Sequence, residues 1–228
     1  MWLTWNQLPK DLQTDAVRPY YNVLNTRRGS LLIKRVFDFS LALVLLVLLS
    51  PVFLVCVLWI KLDSEGPVFF RQERVTTYGK IFKIHKFRTM VTGTDKQGSQ
   101  ITVNNDSRVT RSGTFLRKYK LDEIPQLLDV LTGNMSFVGT RPEVLKYVKQ
   151  YTPEMFATLL LPAGITSQAS IKYKDEASLI ENAADVDHVY LTQVLPQKMK
   201  YNLQAIRNFS LWDEFKTMFL TVIAVGAA

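Results

Sequence analysis

The sequence predicts a mixed α/β fold that is mostly helical and has a membrane helix near its N-terminus. The first observation is a run of 22 residues, 39–60, that contains no charged side chain. As a helix this run would extend about 33 Å, which matches the hydrocarbon core of a bilayer. The second observation is the alternation of apolar and basic side chains over 81–90, which is typical of a half-buried strand.

The composition limits the kinds of core and metal site. The 228 residues are 47% hydrophobic and 11% aromatic, which suffices for the core of one or two domains. Cys56 is the only cysteine and there are two histidines, so neither a disulfide framework nor a Cys- or His-based metal site is expected. A metal ion here would be a hard cation that carboxylates and phosphate oxygens hold.

Positive charge is concentrated in residues 71–120. This segment has twelve Lys or Arg residues and three acids, while the whole chain has a formal net charge of +8. Such an excess favours an anionic partner: nucleic acid, an anionic membrane surface or a phosphorylated substrate. A solvated basic face is the alternative. Few aromatic side chains accompany the basic ones and no nucleic-acid motif is present, so we expect no nucleic-acid partner.

The apolar run is interrupted at its middle by Ser50 and Pro51. Proline removes a backbone donor and clashes with the preceding turn, so a helix kinks there, and each half is then about as long as one leaflet is thick. Lys34 and Arg35 precede the run and Lys61 follows it. Because basic residues favour the cytoplasmic side, this symmetry predicts that both ends stay there and the helix re-enters. An ordinary kinked transmembrane helix is the alternative.

The remaining segments are assigned by length and polarity. Residues 1–29 are a polar leader whose aromatic side chains suit either a membrane interface or an ordinary extension. We predict a membrane helix over 30–61 and a folded domain over 62–228. Within that domain 91–107 reads as an exposed loop, and 217–228 is too short to span, so it is expected to dock on the core or the membrane surface.

Two adjacent acids lie at the predicted start of a helix. Pro125 suits a first helical turn and Gly133 a helix end, so we place the helix from about Glu123 to Thr132 with Asp122 near its N-cap. The partial positive charge of a helix start favours an ionised carboxylate, and its free N–H groups suit a phosphate. The alternative is that Asp122 merely caps the helix.

Basic side chains accompany these acids in two stretches. Residues 133–144 read as a turn-rich loop that presents Arg141, whose planar guanidinium suits bidentate contact with a phosphate. Lys86 and Arg88 lie on the predicted strand, whose basic face suits the same role. A solvent-exposed turn arginine and an ordinary half-buried strand are the alternatives.

Together, these pieces resemble the bacterial polyprenyl-phosphate sugar-phosphate transferases, which are small monotopic phosphoglycosyl transferases. The resemblance covers about residues 30–170 and extends more weakly to about residue 219. Seven motifs in one order carry it: Lys34-Arg35, Ser50-Pro51, KFRTM at 86–90, DSRVTRSG at 106–113, LDEIPQL at 121–127, GNMSFVGTRP at 133–142 and GIT at 164–166.

The resemblance implies a two-step transfer of a sugar 1-phosphate from a UDP-sugar to a polyprenyl (undecaprenyl) phosphate, with release of UMP. On this pattern Asp122 is the nucleophile that forms an aspartyl phosphosugar, and Glu123 is a ligand of Mg²⁺. An aspartate is already ionised at pH 7 and needs no general base. The matching basic positions are expected to bind phosphates: Lys86, Arg88, Arg117, Arg141 and, as a weaker candidate, Arg74.

The resemblance also implies a monotopic membrane protein. Its re-entrant helix kinks at Ser50-Pro51, Lys34 and Arg35 lie at the membrane interface, and the catalytic domain lies on the cytoplasmic face of the bacterial inner membrane, where polysaccharide or glycoconjugate synthesis begins. An inactive scaffold that binds anionic lipid is the alternative. Residues 167–170 depart from the family pattern, so the sugar and uridine contacts are less defined than the phosphoryl chemistry.

Overall fold

A computed structural model describes residues 2–93, 106–173 and 185–226. Within these ranges the fold is mostly helical and contains two small two-stranded sheets, so the predicted mixed α/β class is confirmed. The helices are α1 Arg18–Thr26, α2 Arg28–Leu48, α3 Ser50–Asp63, α4 Arg111–Lys118, α5 Gln126–Leu131, α6 Leu145–Val148, α7 Gln168–Lys172, α8 Val186–Val189, α9 Leu195–Arg207 and α10 Leu211–Gly226. The strands are β1 Phe69–Val75, β2 Ile81–Phe87, β3 Met135–Val138 and β4 Ala163–Thr166.

The long apolar run forms α2 and α3, which meet at a bend of 63°. Pro51 is at the start of α3, and the Ser50 hydroxyl donates to the Val47 carbonyl over 2.8 Å. The serine hydroxyl thus satisfies a backbone carbonyl that the break in the helix leaves without its usual partner. Among the described residues no single helix is both long and apolar enough to cross a bilayer, whereas α2 and α3 together have the length and composition to do so.

Strands β1 and β2 form an antiparallel hairpin, with Phe69 opposite Phe87 and Val75 opposite Ile81. Phe82, Ile84 and Phe87 are buried, as the alternating pattern predicts. The predicted strand is confirmed over the residues of β2.

The parallel pair β3 and β4 was not expected, because 133–144 was predicted to be a loop. Glycine and proline at the two ends of that segment obscure the four apolar and small residues of β3 between them. Immediately after β3, Gly139 lies so close to Gly164 of β4 that a side chain on either residue would clash with backbone atoms. Both positions therefore require glycine.

The predicted helix from Glu123 to Thr132 is wrong at its start. Residues Leu121–Glu123 form a separate 3-10 turn, and α5 begins only at Gln126, with Pro125 as its N-cap. Proline has no N–H to donate back along an α-helix, so the Leu121 carbonyl accepts instead from the Ile124 N–H at 3.2 Å. Asp122 therefore does not cap α5.

The N-terminal leader contributes to the core. Tyr20, Tyr21 and Leu24 of α1 are buried in one apolar cluster with Met199 and Ile206 of α9. The ring of Trp2 stacks on Tyr21 at 5.6 Å between centroids. The segment 1–29, although polar in composition, thus packs against the folded domain. The predicted boundaries at residues 29 and 61 stay a prediction.

The C-terminal helix α10 packs on α2 and β4 through its inner face. The ring of Phe215 lies 4.9 Å from that of Phe37, and the Thr221 and Thr166 hydroxyls are 2.7 Å apart. This inner face docks on the core, as predicted for the final apolar stretch. Residues 94–105 of the predicted exposed loop lie outside the described residues.

Candidate active site

The two acids, Asp122 and Glu123, lie on a turn whose apolar residues pack against α3. Leu121 and Ile124, on either side of the acids, pack against the cluster that Cys56 and Ile60 of α3 form with Leu116 of α4 and Phe87 of β2. The turn itself follows Lys120, whose positive φ of 55° redirects the chain after α4. The apolar helix pair and the acidic turn are therefore parts of one packed unit.

Glu123 is the electrostatic centre of the site. Its Oε1 accepts a hydrogen bond of 2.7 Å from Lys86 Nζ and another of 2.7 Å from Arg141 Nη2. Burial alone would raise the pKa of Glu123, but the charges of Arg141 and Lys86 outweigh it and hold that pKa well below its usual value. Glu123 is consequently ionised at neutral pH and fixes both cations in place.

Asp122 has a different environment from its neighbour. It is buried, and its Oδ2 lies 3.9 Å from Lys86 Nζ. Its Oδ1 is also buried and has no hydrogen-bond partner within the described part of the chain. Burial raises the pKa of Asp122, and the attraction of Lys86 only partly offsets this. One carboxylate oxygen thus has no hydrogen-bond partner, while the other lies near a cation.

Arg117 completes a set of three cations around the acids. Its Nε donates to Thr89 Oγ1 over 2.8 Å, and the guanidinium interacts electrostatically with Asp122. Burial lowers the pKa of Lys86, and Glu123 opposes that change. The structure therefore brings together five of the residues that the sequence singled out: Asp122, Glu123, Lys86, Arg117 and Arg141.

Arg88 and Arg74 are used differently. Arg88 is buried and donates to the carbonyls of Ser64 and Glu65 over 2.7 and 2.9 Å, which fixes the chain that leaves α3. Arg74 donates to the Pro142 carbonyl over 3.0 Å, directly behind Arg141. Both guanidinium groups bind protein carbonyls, and their predicted contact with a substrate phosphate stays a prediction.

Lys34 and Arg35 also contact the protein. Lys34 is buried, donates to the Val138 carbonyl over 3.0 Å and pairs with Glu214 of α10. Arg35 donates to the carbonyls of Val130 and Leu131 over 2.6 and 2.9 Å, which satisfies the end of α5. These contacts tie α2 to the catalytic part of the fold, while a position at the membrane interface stays a prediction for both residues.

Sequence reasoning missed the residues that hold the turn after Arg141. Glu143 is buried, its carbonyl accepts from the Val75 N–H at 2.9 Å, and its Oε1 accepts from the Tyr190 hydroxyl at 2.5 Å. Tyr190 begins a short π-helical segment, Tyr190–Val194. No local pattern links an acid to a tyrosine 47 residues further along the chain.

The two carboxylates fit Mg²⁺ only together with a phosphorylated ligand. Within the described residues no three Asp, Glu, His or Cys side chains converge on one point. Mg²⁺ is commonly held by one or two carboxylates and by substrate phosphate oxygens. Asp122 supplies an oxygen without a protein partner, and Glu123 supplies a second, cation-bound carboxylate. The site thus suits an ion that arrives with a diphosphate.

By class, an acidic pair enclosed by three cations is an arrangement that suits a phosphorylated ligand. The family model described as bacterial sugar transferase matches residues 29–228. The chain belongs to the bacterial sugar transferase family, and the resemblance drawn from the seven motifs is confirmed.

Relatives of the chain include a UDP-glucose:undecaprenyl-phosphate glucose-1-phosphate transferase of Escherichia coli K12, 40% identical over 84% of this chain and 39% of that relative. A UDP-N-acetylgalactosamine-undecaprenyl-phosphate N-acetylgalactosaminephosphotransferase of Aeromonas hydrophila is 36% identical over 83% of this chain and 43% of that relative. A UDP-glucose:undecaprenyl-phosphate glucose-1-phosphate transferase of Caulobacter vibrioides is 36% identical over 83% of this chain and 68% of that relative. The chain spans about two fifths of the first two.

Proposed function

We propose that this chain transfers a sugar 1-phosphate from a UDP-sugar to a polyprenyl phosphate and releases UMP. The named relatives support a reaction of this class. The observation that carries the proposal is the Asp122 carboxylate, which has one oxygen without a protein partner, lies inside a shell of three cations and rests on the bent apolar helix pair. A nucleophile, a phosphate site and a lipid-facing element therefore meet in one place.

In the first step, Asp122 attacks the β-phosphorus of the donor. A bond forms between the carboxylate oxygen and phosphorus, the bond to the bridging oxygen breaks, and UMP leaves with that electron pair. The raised pKa makes the Asp122 carboxylate a stronger base than an exposed aspartate, which favours attack. Lys86, Arg117 and Arg141 bind the phosphate oxygens and stabilise the charge that develops on them.

In the second step, a phosphate oxygen of the polyprenyl phosphate attacks the aspartyl phosphosugar. The new phosphorus–oxygen bond forms as the bond to the Asp122 carboxylate breaks, which restores the free enzyme and completes a ping-pong sequence. Glu123 keeps Lys86 and Arg141 oriented through both steps. Asp122 and Glu123 would hold Mg²⁺ together with phosphate oxygens of the donor, and the ion would neutralise part of the diphosphate charge.

The membrane part of the proposal is a re-entrant insertion of α2 and α3 from the cytoplasmic face of the bacterial inner membrane. Leu43 and Val47 of α2 are about half and two thirds exposed, at 48% and 67%, and Leu54 and Leu58 of α3 are 62% and 63% exposed. An apolar surface of this extent suits lipid contact. The 63° bend and the basic residues at both ends support a return to the same side.

The test is UMP release from a panel of UDP-sugars by the purified, detergent-solubilised chain with undecaprenyl phosphate and Mg²⁺. We expect release with one sugar and a loss of at least about 1,000-fold in turnover for Asp122→Asn. The matched control is Asp15→Asn, an identical change at an exposed aspartate, which should keep full activity. A fully active Asp122→Asn would remove Asp122 from the mechanism.

Two further measurements address the intermediate and the metal. Incubation with the donor alone should leave a phosphosugar on Asp122, detected by mass spectrometry of the intact chain, and its absence with a turning-over enzyme would contradict the ping-pong sequence. Glu123→Gln should raise the Mg²⁺ concentration needed for half-maximal activity. An unchanged Mg²⁺ response in an otherwise impaired Glu123→Gln would place the ligand elsewhere.

A further inference from the structure

A cavity of about 230 Å³ lies at the carboxyl ends of the two parallel strands. Thr140 follows β3, Ser167 and Gln168 follow β4, and α9 and α10 close the far side. Ligands of open α/β sheets bind at this edge, beyond the carboxyl ends of the strands. Thr140, Thr158 and Leu161 line both this cavity and a smaller one next to it. Arg141, which binds Glu123, also lines the smaller cavity, so the larger cavity lies on the side of Arg141 away from the two acids.

Asn202 of α9 provides an unmet polar group on the wall of this cavity. The residue is 6% exposed, and its Nδ2 donates one weak hydrogen bond within the described residues, to the sulfur of Met199 at 3.9 Å. Its Oδ1 has no hydrogen-bond partner among the residues that the structure describes. Buried amides are normally hydrogen-bonded, so this amide has donor and acceptor capacity to offer a ligand.

The rest of the lining defines the charge and shape of that ligand. None of the described residues that line the cavity is Lys, Arg or His, and Lys34, a cation beside the wall, is already paired with Glu214. Asp213 adds a negative charge, so a phosphate is disfavoured there. Phe209, Val138 and other apolar side chains form part of the wall. A neutral ring that carries hydroxyl or acetamido groups matches this mixture of amide, hydroxyl and apolar surface.

We propose that the cavity binds the sugar ring of the donor, and that Asn202 exchanges hydrogen bonds with its hydroxyl or acetamido substituents. This inference rests on the proposed function and assigns the sugar to the β3–β4 edge, while the diphosphate lies with the three cations. It makes Asn202, rather than a residue of the seven motifs, a determinant of donor specificity.

The test compares the affinities of UDP-sugar and UDP in Asn202→Leu, which removes the amide while keeping similar bulk. UDP-glucose and UDP-N-acetylgalactosamine serve as donors. We expect the affinity for the donor that the wild type prefers to fall about tenfold, because one or two hydrogen bonds are lost, while the affinity for UDP is unchanged. Gln197→Leu, the same change at an exposed position of α9, should leave both affinities unchanged.

Equal losses for UDP and UDP-sugar would place the nucleoside in the cavity and overturn the proposal, as would no loss for either. If Asn202→Leu does not fold, Thr140→Val removes a second polar group of the wall and should weaken only the UDP-sugar, by about threefold. If the wild type binds no UDP-sugar, the proposed function fails. Saturation-transfer NMR with free glucose and N-acetylgalactosamine then tests separately whether the cavity binds a sugar ring. Signals that Asn202→Leu abolishes support the cavity, and a wild type without signals overturns it.

Discussion

Neutralising the two adjacent acids should change the free energy of unfolding in opposite directions. In Glu123→Gln, the carboxylate that accepts from Lys86 and Arg141 becomes a neutral amide, and two partly buried cations lose their counter-charge. In Asp122→Asn, the lost charge is one that burial already disfavours and whose Oδ1 has no protein partner. The same chemical change therefore removes a stabilising charge in one case and a costly charge in the other.

The magnitude follows from the contacts. Removing one partner of a fully buried ion pair typically costs about 3–5 kcal/mol, and the partial exposure of Lys86 and Arg141 reduces this to about 1–3 kcal/mol. For a chain of this size each kcal/mol lowers the melting temperature by about 2–4 °C, so Glu123→Gln should melt about 2–12 °C below the wild type. Asp122→Asn should melt at or above the wild-type temperature, even though it is expected to be inactive, which is the usual trade-off at a functional site.

The pH dependence provides an independent check. The folded-state pKa of Glu123 is lowered, so its stabilisation is present above the unfolded value of about 4.3 and is lost as the pH falls further. The folded-state pKa of Asp122 is raised, so the cost of its ionised form grows as the pH rises above the unfolded value of about 3.9. The advantage of Asp122→Asn should therefore be largest at neutral pH and disappear near pH 4.

The assay is thermal unfolding of the wild type and both variants in one detergent, between pH 4 and pH 8. The reasoning is refuted if Asp122→Asn melts as far below the wild type as Glu123→Gln does at pH 7. It is equally refuted if the difference between Asp122→Asn and the wild type grows towards acid pH.

Three further predictions concern the scaffold. Lys34→Met should destabilise the fold by about 3 kcal/mol in urea unfolding, because the buried Asp38 and the partly buried Glu214 lose their cation. An unchanged urea midpoint would contradict this. Gly164→Ala should lower the free energy of unfolding by about 1–3 kcal/mol, because the added methyl group overpacks against backbone atoms. Gly29→Ala, which has open space around it, should instead raise that free energy by up to about 1 kcal/mol, since alanine favours a helix more than glycine does. Similar melting temperatures for the two variants would contradict the packing argument. Cysteines introduced as Arg28→Cys and Glu65→Cys should both react with a reagent confined to the cytoplasmic side, and labelling from opposite sides would establish a span.

Local patterns were sufficient for the parts of the fold that are set by neighbouring residues. The break at Ser50-Pro51 and the buried positions of β2 follow from proline geometry and from a period of two, and both are found. The start of α5 was misplaced because a helix signal does not distinguish Pro125 in a first turn from Pro125 as an N-cap. The strand β3 was missed because four residues between a glycine and a proline resemble a loop.

The grouping of the acids and the cations was predictable, but the residues that support them were not. The motifs identified the acids and the three cations that surround them. They could not show that Arg88 binds the backbone after α3, since a buried and a substrate-facing arginine have the same sequence pattern. Contacts such as Tyr190 with Glu143 join distant parts of the chain, and the position of Asn202 on a cavity wall depends on how α9 packs.

The packing of α1 against α9 has a consequence for where the chain can be cut. The match to the family begins at residue 29, so a fragment trimmed to the matched range would lack Tyr20, Tyr21 and Leu24. Their removal would expose an apolar face on α9 that includes Met199 and Ile206, a surface of the kind that causes soluble fragments to aggregate. The boundary of shared sequence and the boundary of the folded unit are therefore different positions in this protein.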